Sequence, residues 1–269
     1  MENIAPALLD WFNQNRRSLP FRDDPTPYHV WVSEIMLQQT RVSAALPYYE
    51  RFIEELPDIP ALAACPPERL DKLWEGLGYY RRVHSLQKAA QVVCEQYGGA
   101  LPADYDALLA LPGVGPYTAG AIASIGFGLA APAVDGNVLR VFARLYNDPS
   151  PVTDAAVKRT FTQRVMAHQP PDNPGDYNQA LMELGALVCL PGGEPLCGRC
   201  PLAGLCQGRK AGTALELPKK AEPKPRRVVP VTVLLIRQEG TGAWLLQKRP
   251  ETGLLAGLWQ PPALEGVCL

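Results

Sequence analysis

The sequence predicts an all-α body followed by a short β-type tail, and three observations carry that prediction. Apolar residues recur at helical spacing, with short connections, from residue 4 to about residue 205. DYDALLALPGVGPYTAGAIASIGF, residues 104–127, reads as helix, tight Gly-rich turn and helix. Strand-type alternation begins only after a basic, Pro-rich stretch at 207–227.

Taken in order, residues 4–15 place Ile4, Leu8, Leu9, Trp11 and Phe12 on one helical face. Residues 28–55 read as one or two helices, with Pro47 marking a break or a restart. ALAACPPERLDKLWEGLGYYRR holds two short helices punctuated by Pro66, Pro67 and Gly76, and 83–97 forms another. Residues 137–147, 154–168 and 177–188 complete the helical set. The stretch 207–228 has little to bury and reads as a linker. A strand near 229–237, a turn at Glu239–Gly242 and a strand near 243–249 follow, too little to stand alone as a stable sheet.

The 269 residues allow one large or two ordinary domains. No apolar run is long enough to span a membrane, and MENIAPALLDWFNQNRRSLP lacks the pattern of an export signal. A cytoplasmic location is expected, so clustered cysteines are read as metal ligands before disulfides. Residues 1–206 carry 16 Lys/Arg against 22 Asp/Glu, a balance of −6. Residues 207–227 carry seven basic residues, Arg209, Lys210, Lys219, Lys220, Lys224, Arg226 and Arg227, against Glu216 and Glu222, a balance of +5. A nucleic acid would therefore be gripped by local patches and backbone amides, not by bulk positive charge.

Three features carry chemistry. In VWVSEIMLQQT, residues 30–40, Glu34 sits inside an apolar run. A carboxylate there either finds a partner, holds a proton, or turns to water beside Gln38 and Arg41. In CLPGGEPLCGRCPLAGLC, Cys189, Cys197, Cys200 and Cys206 follow the spacing C-x7-C-x2-C-x5-C. Four thiolates so spaced can close on one centre, and spacing alone leaves zinc and an iron–sulfur cluster both open. Cys65 and Cys94 read as buried small apolar residues. In LPGVGPY, Gly113 and Gly115 permit a tight turn with positive φ, and Pro116 suits a helix start, where free N–H groups can take a phosphate oxygen. Asp135, in AVDGNVLRVFARL, stands where a helix N-cap belongs and can still face a cleft.

LPGVGPYTAGAIAS followed by PAVDGNV resembles the helix–hairpin–helix DNA glycosylase superfamily, and the cysteine array resembles the iron–sulfur loop of endonuclease III and its relatives. LPFRDDPTPYHVWVSEIMLQQTRV and LWEGLGYYRRVHSL are similar to the MutY-type adenine DNA glycosylases, and LLQKRPETGLLAGLW to the opening of their Nudix-like C-terminal domain. The likeness runs from about residue 11 to 262.

The resemblance implies a two-lobed fold. Residues 1–22 and 134–206 would form a cluster-bearing lobe and residues 23–133 a six-helix lobe with the hairpin. Beyond the 207–228 linker, residues 229–269 would be an incomplete Nudix-like domain of α+β type. It implies Glu34 as general acid, protonating N7 of an adenine flipped from the duplex. Asp135 would stabilise the oxocarbenium-like sugar, with Asn137 orienting the network. Tyr117 stands where bifunctional relatives carry a lysine, so no imine forms and the enzyme is expected to be monofunctional. Tyr117 would instead hydrogen-bond around Asp135 and the sugar. Gln39 and Tyr79 would enter the base stack, Gly113 and Gly115 would hold phosphate, and Arg22 and Gln179 would line the adenine pocket.

The implied cofactor is a [4Fe–4S] cluster on Cys189, Cys197, Cys200 and Cys206. The first spacer has seven residues where the family more usually has six, an insertion that Gly192 and Gly193 can absorb. The implied partner is duplex DNA carrying adenine opposite 8-oxoguanine or guanine, bound by a monomer associated with a bacterial nucleoid. The sequence ends at Leu269, well short of the family's C-terminal domain, so weaker discrimination for 8-oxoguanine is expected. The rivals are an endonuclease III-like lyase on oxidised pyrimidines and a non-catalytic DNA-binding protein.

Overall fold

The computed structural model describes residues 2–222, 225, 228–250 and 252–266. Lys224, Arg226 and Arg227 of the basic stretch, and Cys268, lie outside the described residues. Two units separate between Ala221 and Glu222.

The first unit is helical throughout: α1 (Ala5–Asn15), α2 (Pro20–Asp23), α3 (Pro27–Leu37), α4 (Val42–Glu55), α5 (Ile59–Ala64), α6 (Pro67–Trp74), α7 (Arg81–Tyr97), α8 (Tyr105–Leu109), α9 (Pro116–Ala121), α10 (Gly136–Tyr146), α11 (Ala155–Met166), α12 (Pro174–Leu187) and α13 (Gln207–Lys210). Two main hydrophobic cores organise it, with a smaller third formed by Leu139, Ala143, Val152, Phe161 and Leu217. One joins α3 to α9 through Trp31, Met36, Phe52, Leu70, Trp74 and Val83. The other joins α1, α10 and α12 through Leu8, Phe12, Phe142, Tyr177 and Leu181. Among the described residues no helix is long and apolar enough to cross a membrane.

Residues 28–55 form two helices, but the break does not fall at Pro47. Pro47 lies inside α4, and the chain breaks at Gln38–Arg41, where Gln39 takes a left-handed φ of 60°. α3 starts because Thr26 caps it, its side chain accepting from the His29 amide at 3.2 Å, with Pro27 preset for the first turn. Its buried residues, Val30, Trp31, Val32, Ile35 and Met36 among them, run round the whole helix, so it is an interior helix. Glu34 has no solvent face to turn to.

The hairpin between α8 and α9 turns on one positive φ, not two. Gly113 has φ 76°, whereas Gly115 is extended at φ −96° and forms the N-cap of α9. A Cβ on Gly113 would also stand 2.7 Å from the Ser85 Cβ, so two constraints select glycine there.

The linker expected from residue 207 starts later. α13 and the turn after it pack on the helical unit through Leu217, which is 4% exposed. The Arg144 Nε donates to the Leu217 carbonyl at 2.9 Å, and the Val152 amide to the Lys219 carbonyl at 2.9 Å. A single buried leucine and a few backbone bonds fix a stretch whose composition reads as solvated.

The second unit pairs β1 (Val231–Val233) with β4 (Ala263–Glu265), and β2 (Gln247–Lys248) with β3 (Trp259–Gln260), both antiparallel. Its strands are shorter than the alternation suggests. The expected turn at Glu239–Gly242 is present, closed by the Gln238 amide on the Ala243 carbonyl at 2.8 Å. Val231, Val233, Leu235, Trp244 and Trp259 are exposed, so this unit has little interior of its own.

Candidate active site

A cleft of about 1260 Å³ opens between the two main cores of the helical unit. Arg22, Glu34, Gln39, Tyr117, Asp135, Asn137 and Gln179 all line it, although more than 150 residues separate the first from the last. Tyr79 and Gly113 line a smaller adjoining cavity, and Gln38 borders both.

Glu34 comes from the interior of α3 and is 9% exposed. The Tyr117 hydroxyl, at the start of α9, donates to its Oε2 at 2.5 Å. Burial pushes the Glu34 carboxyl up to about 7; the Tyr117 hydrogen bond opposes this, the nearby Asp135 charge adds to it, and Arg22 opposes it. Tyr117 therefore hydrogen-bonds to Glu34 and not to Asp135, with the Met182 sulfur as a second acceptor at 3.5 Å.

Asp135 is the N-cap of α10, as its position in the sequence suggests. Its Oδ1 accepts from the Val138 amide at 2.8 Å and its Oδ2 from the Asn137 side chain at 2.6 Å. Burial raises its carboxyl above the usual range, while the Val138 and Asn137 hydrogen bonds and the Arg140 charge pull it back. Asp135 thus has donors arranged for its charged form, and Glu34 has one hydroxyl. Asn137 is held in turn by Arg140, whose Nη2 donates to Asn137 Oδ1 at 2.8 Å and to the Gly185 carbonyl at 2.9 Å. Gly185 is required there: a Cβ would lie 2.5 Å from the Asn137 Cβ.

Arg22 reaches the cleft already committed. Its Nη2 donates to Glu183 Oε2 at 2.8 Å, and its guanidinium lies 5.8 Å from the centre of the Phe12 ring. Arg17 takes the same carboxylate in a fork, Nε to Oε1 and Nη2 to Oε2, both at 2.7 Å. Glu183, 1% exposed, is held down to about 2; its burial works against this and is outweighed by Arg17 and Arg22. The sequence reading missed Glu183, although it sits in an apolar run, LMELGAL, as Glu34 does. Gln179 lines the cleft from α12 beside it.

Gln39 and Tyr79 are exposed, Tyr79 by 66%, and both hold left-handed backbones, φ 60° and 50°. Non-glycine residues seldom adopt this conformation, and it concentrates at functional sites.

The four cysteines lie beyond α12. Among the described residues no group of three or more His, Cys, Asp or Glu side chains stands close enough to hold a metal ion. The sulfurs nevertheless share one neighbourhood. Burial pushes the Cys200 thiol up to about 12, and Cys189, Cys206 and Cys197 each add to the shift. Arg144 donates to the Cys189 sulfur at 3.3 Å, and the Cys206 thiol to the Arg144 carbonyl at 3.3 Å. The four thiols sit half-buried in one stretch after α12, but among the described residues they are not gathered into a ligand set.

The model of the family described as "HhH-GPD superfamily base excision DNA repair protein" matches residues 32–185. The chain is 38% identical to an adenine DNA glycosylase of Rattus norvegicus, over 96% of this chain and 59% of that protein. It thus spans under two thirds of that relative's length. Among solved structures, a thermostable thymine-DNA glycosylase superposes with a TM-score of 0.69 at 27% identity, covering 77% of this chain and 95% of that one. A non-covalent endonuclease III–DNA complex superposes with a TM-score of 0.64 at 26% identity, covering 78% and 96%. A mostly helical endonuclease III-like fold, the hairpin at 111–117, the capping aspartate after it and the matched family model lead to one conclusion: this chain belongs to the HhH-GPD superfamily of base excision DNA repair proteins.

Proposed function

We propose that this chain is a monofunctional adenine DNA glycosylase acting on duplex DNA with adenine opposite 8-oxoguanine or guanine. The observation that carries the reading is Glu34, a carboxyl buried in the cleft with its proton held to about pH 7, beside an Asp135 furnished with donors for its charge. Glu34 gives its proton to N7 of the extruded adenine, and the C1′–N9 bond breaks with its electron pair going to the base. Asp135 stabilises the cationic sugar. Water then adds at C1′ and gives up a proton, leaving an abasic site in an unbroken strand. Arg22 and Gln179 border the base, with Arg22 fixed by Glu183.

In the same reading Gln39 and Tyr79 enter the stack, Gly113 and Gly115 present backbone to phosphate, and the lobes are 1–22 with 134–206 and 23–133. Residues 229–269 begin a Nudix-like domain. Cys189, Cys197, Cys200 and Cys206 would hold a [4Fe–4S] cluster, which when bound fixes the loop after α12. Purified protein is expected to carry iron and acid-labile sulfide, and Cys200→Ser to lose both along with thermal stability. Full metal retention by Cys200→Ser would remove that ligand from the set.

Single-turnover excision on duplexes with adenine opposite 8-oxoguanine or guanine tests the activity. Strand breaks are expected only after alkali, with no adduct trapped by borohydride, because Tyr117 has no amine. Breaks without alkali would make the protein a lyase. No abasic product from folded, metal-loaded protein would leave it a binding protein.

A further inference from the structure

Arg82 sits in the first turn of α7, and its side chain reaches away from that helix into two loops. Its Nη1 donates to the carbonyls of Ile35 at 2.9 Å, Met36 at 3.1 Å and Gln38 at 2.6 Å. Its Nη2 donates to those of Leu77 at 3.1 Å and Gly78 at 3.2 Å. The first three are acceptors at the end of α3, where helix carbonyls lack intrahelical partners. The last two belong to the loop that leads into α7. Gln38 and Gly78 are the residues immediately before Gln39 and Tyr79. One guanidinium therefore grips the backbone one residue ahead of each of the two left-handed, exposed side chains of the rim.

Two aromatic rings reinforce the grip. The guanidinium carbon lies 5.2 Å from the Trp74 ring centre and 5.8 Å from that of Tyr79, and Trp74 Nε1 donates to the same Gly78 carbonyl at 3.0 Å. A left-handed conformation at glutamine or tyrosine persists only where surrounding structure holds it. A planar fork can serve two loops at once; the ammonium of lysine is a point donor and cannot.

We propose that Arg82 is a positioning residue that locks the Gln39 and Tyr79 loops into one rigid wedge, so that both side chains enter the DNA together. The proposal rests on the reading of Gln39 and Tyr79 as the residues that enter the stack.

The full chain carrying Glu34→Gln, in which chemistry is silenced, is compared with the same chain also carrying Arg82→Ala. The probe is a duplex with 2-aminopurine at the target position opposite 8-oxoguanine, whose emission rises as the base leaves the stack. At saturating protein the Arg82 variant is expected to lower the extruded fraction by about tenfold or more, a shift in a two-state equilibrium. Its affinity for a duplex already carrying an abasic site is expected to stay within about threefold, because that duplex needs no extrusion. Equal emission in the two proteins overturns the proposal. A parallel loss of affinity for the abasic duplex also overturns it, since Arg82 would then serve only the fold. If Arg82→Ala does not fold, Arg82→Lys, which keeps the stem against Trp74 but cannot bridge the loops, carries the same comparison. Failure of the underlying reading looks different: the Glu34→Gln parent itself would give no rise in emission, and the wild type no excision.

Discussion

Glu34 and Glu183 face the same cleft from opposite cores, both in apolar runs and both nearly inaccessible to water, yet one holds its proton to about pH 7 and the other gives it up near pH 2. Burial pushes both upward, Glu34 the more strongly, so the opposite sign of the Glu183 shift must come from elsewhere. The difference lies in the neighbours. Glu183 receives a forked pair from Arg17 and a third donor from Arg22, and two full positive charges outweigh its desolvation. Glu34 receives one tyrosine hydroxyl, has Arg22 only at a distance, and faces the negative Asp135. Arg22 is bonded to Glu183, and its pull on Glu34 is the smallest of the four influences there. The two acids thus share one cation, which is bonded to Glu183 and acts on Glu34 only from a distance.

The largest effect is expected from removing the titrating oxygen. Glu34→Gln keeps the shape and loses the proton donor, so single-turnover excision should fall by about 10²–10⁴, the usual contribution of general acid catalysis. DNA affinity should be retained. In the wild type, excision should fall about tenfold per unit above pH 7, as the carboxyl ionises. The stability sign follows from the raised value. Between its ordinary value of 4.5 and about 7, Glu34 binds more proton folded than unfolded, so the protein loses stability as pH rises through that window. Glu34→Gln should therefore melt higher than wild type at pH 8, by up to about 3 kcal/mol. A Glu34→Gln protein that melts lower at pH 8 would show that the carboxylate is better solvated than its burial indicates.

Glu183→Ala should do the opposite. It leaves Arg22, 12% exposed, without its carboxylate, and breaking a buried pair from one side costs about 3–5 kcal/mol. The lowered value of Glu183 stabilises the fold above pH 4.5 and is lost as pH falls from there towards 2. The melting difference between wild type and Glu183→Ala should accordingly shrink with acidification, which a series of melts between pH 3 and 7 reads directly. A freed Arg22 would also lower the Glu34 value, so the alkaline limb of excision should move to lower pH. A constant melting difference across that range would break the link to Glu183 ionisation.

The two glutamates also mark how far the sequence can be read. Both stand in apolar runs, and that signal alone flags each as costly to ionise. Only Glu34 lay in a stretch resembling a family motif, so Glu183 went unread. Its partners Arg17 and Arg22 stand 166 and 161 residues away, and no local pattern encodes a pairing at that range. Helices were legible because their periodicity and caps are local, as at Asp135. The break at Gln39 was not, since its left-handed backbone is held by Arg82 from another helix. Residues 207–221 pack where composition reads a linker for the same reason: Leu217 is buried among Leu139, Ala143, Val152 and Phe161, not by its neighbours in sequence.

The smallest expected effect is the sharpest test of the comparison. Tyr117→Phe removes the one hydrogen bond to the Glu34 carboxylate and leaves the ring in place. That bond favours the charged form, so its loss should raise the Glu34 value further. The alkaline limb of the excision profile should move to higher pH with it, with the rate at pH 6 little changed. The direction is the decisive feature, because two other roles for Tyr117 predict otherwise. A tyrosine serving Asp135 would lower the rate at every pH, and a tyrosine serving only the packing of α9 would shift nothing. An upward shift would mean that the hydroxyl tempers a proton that burial alone would hold too tightly. Arg17 and Arg22 act on Glu183 in the same sense, with two charges where Tyr117 has none.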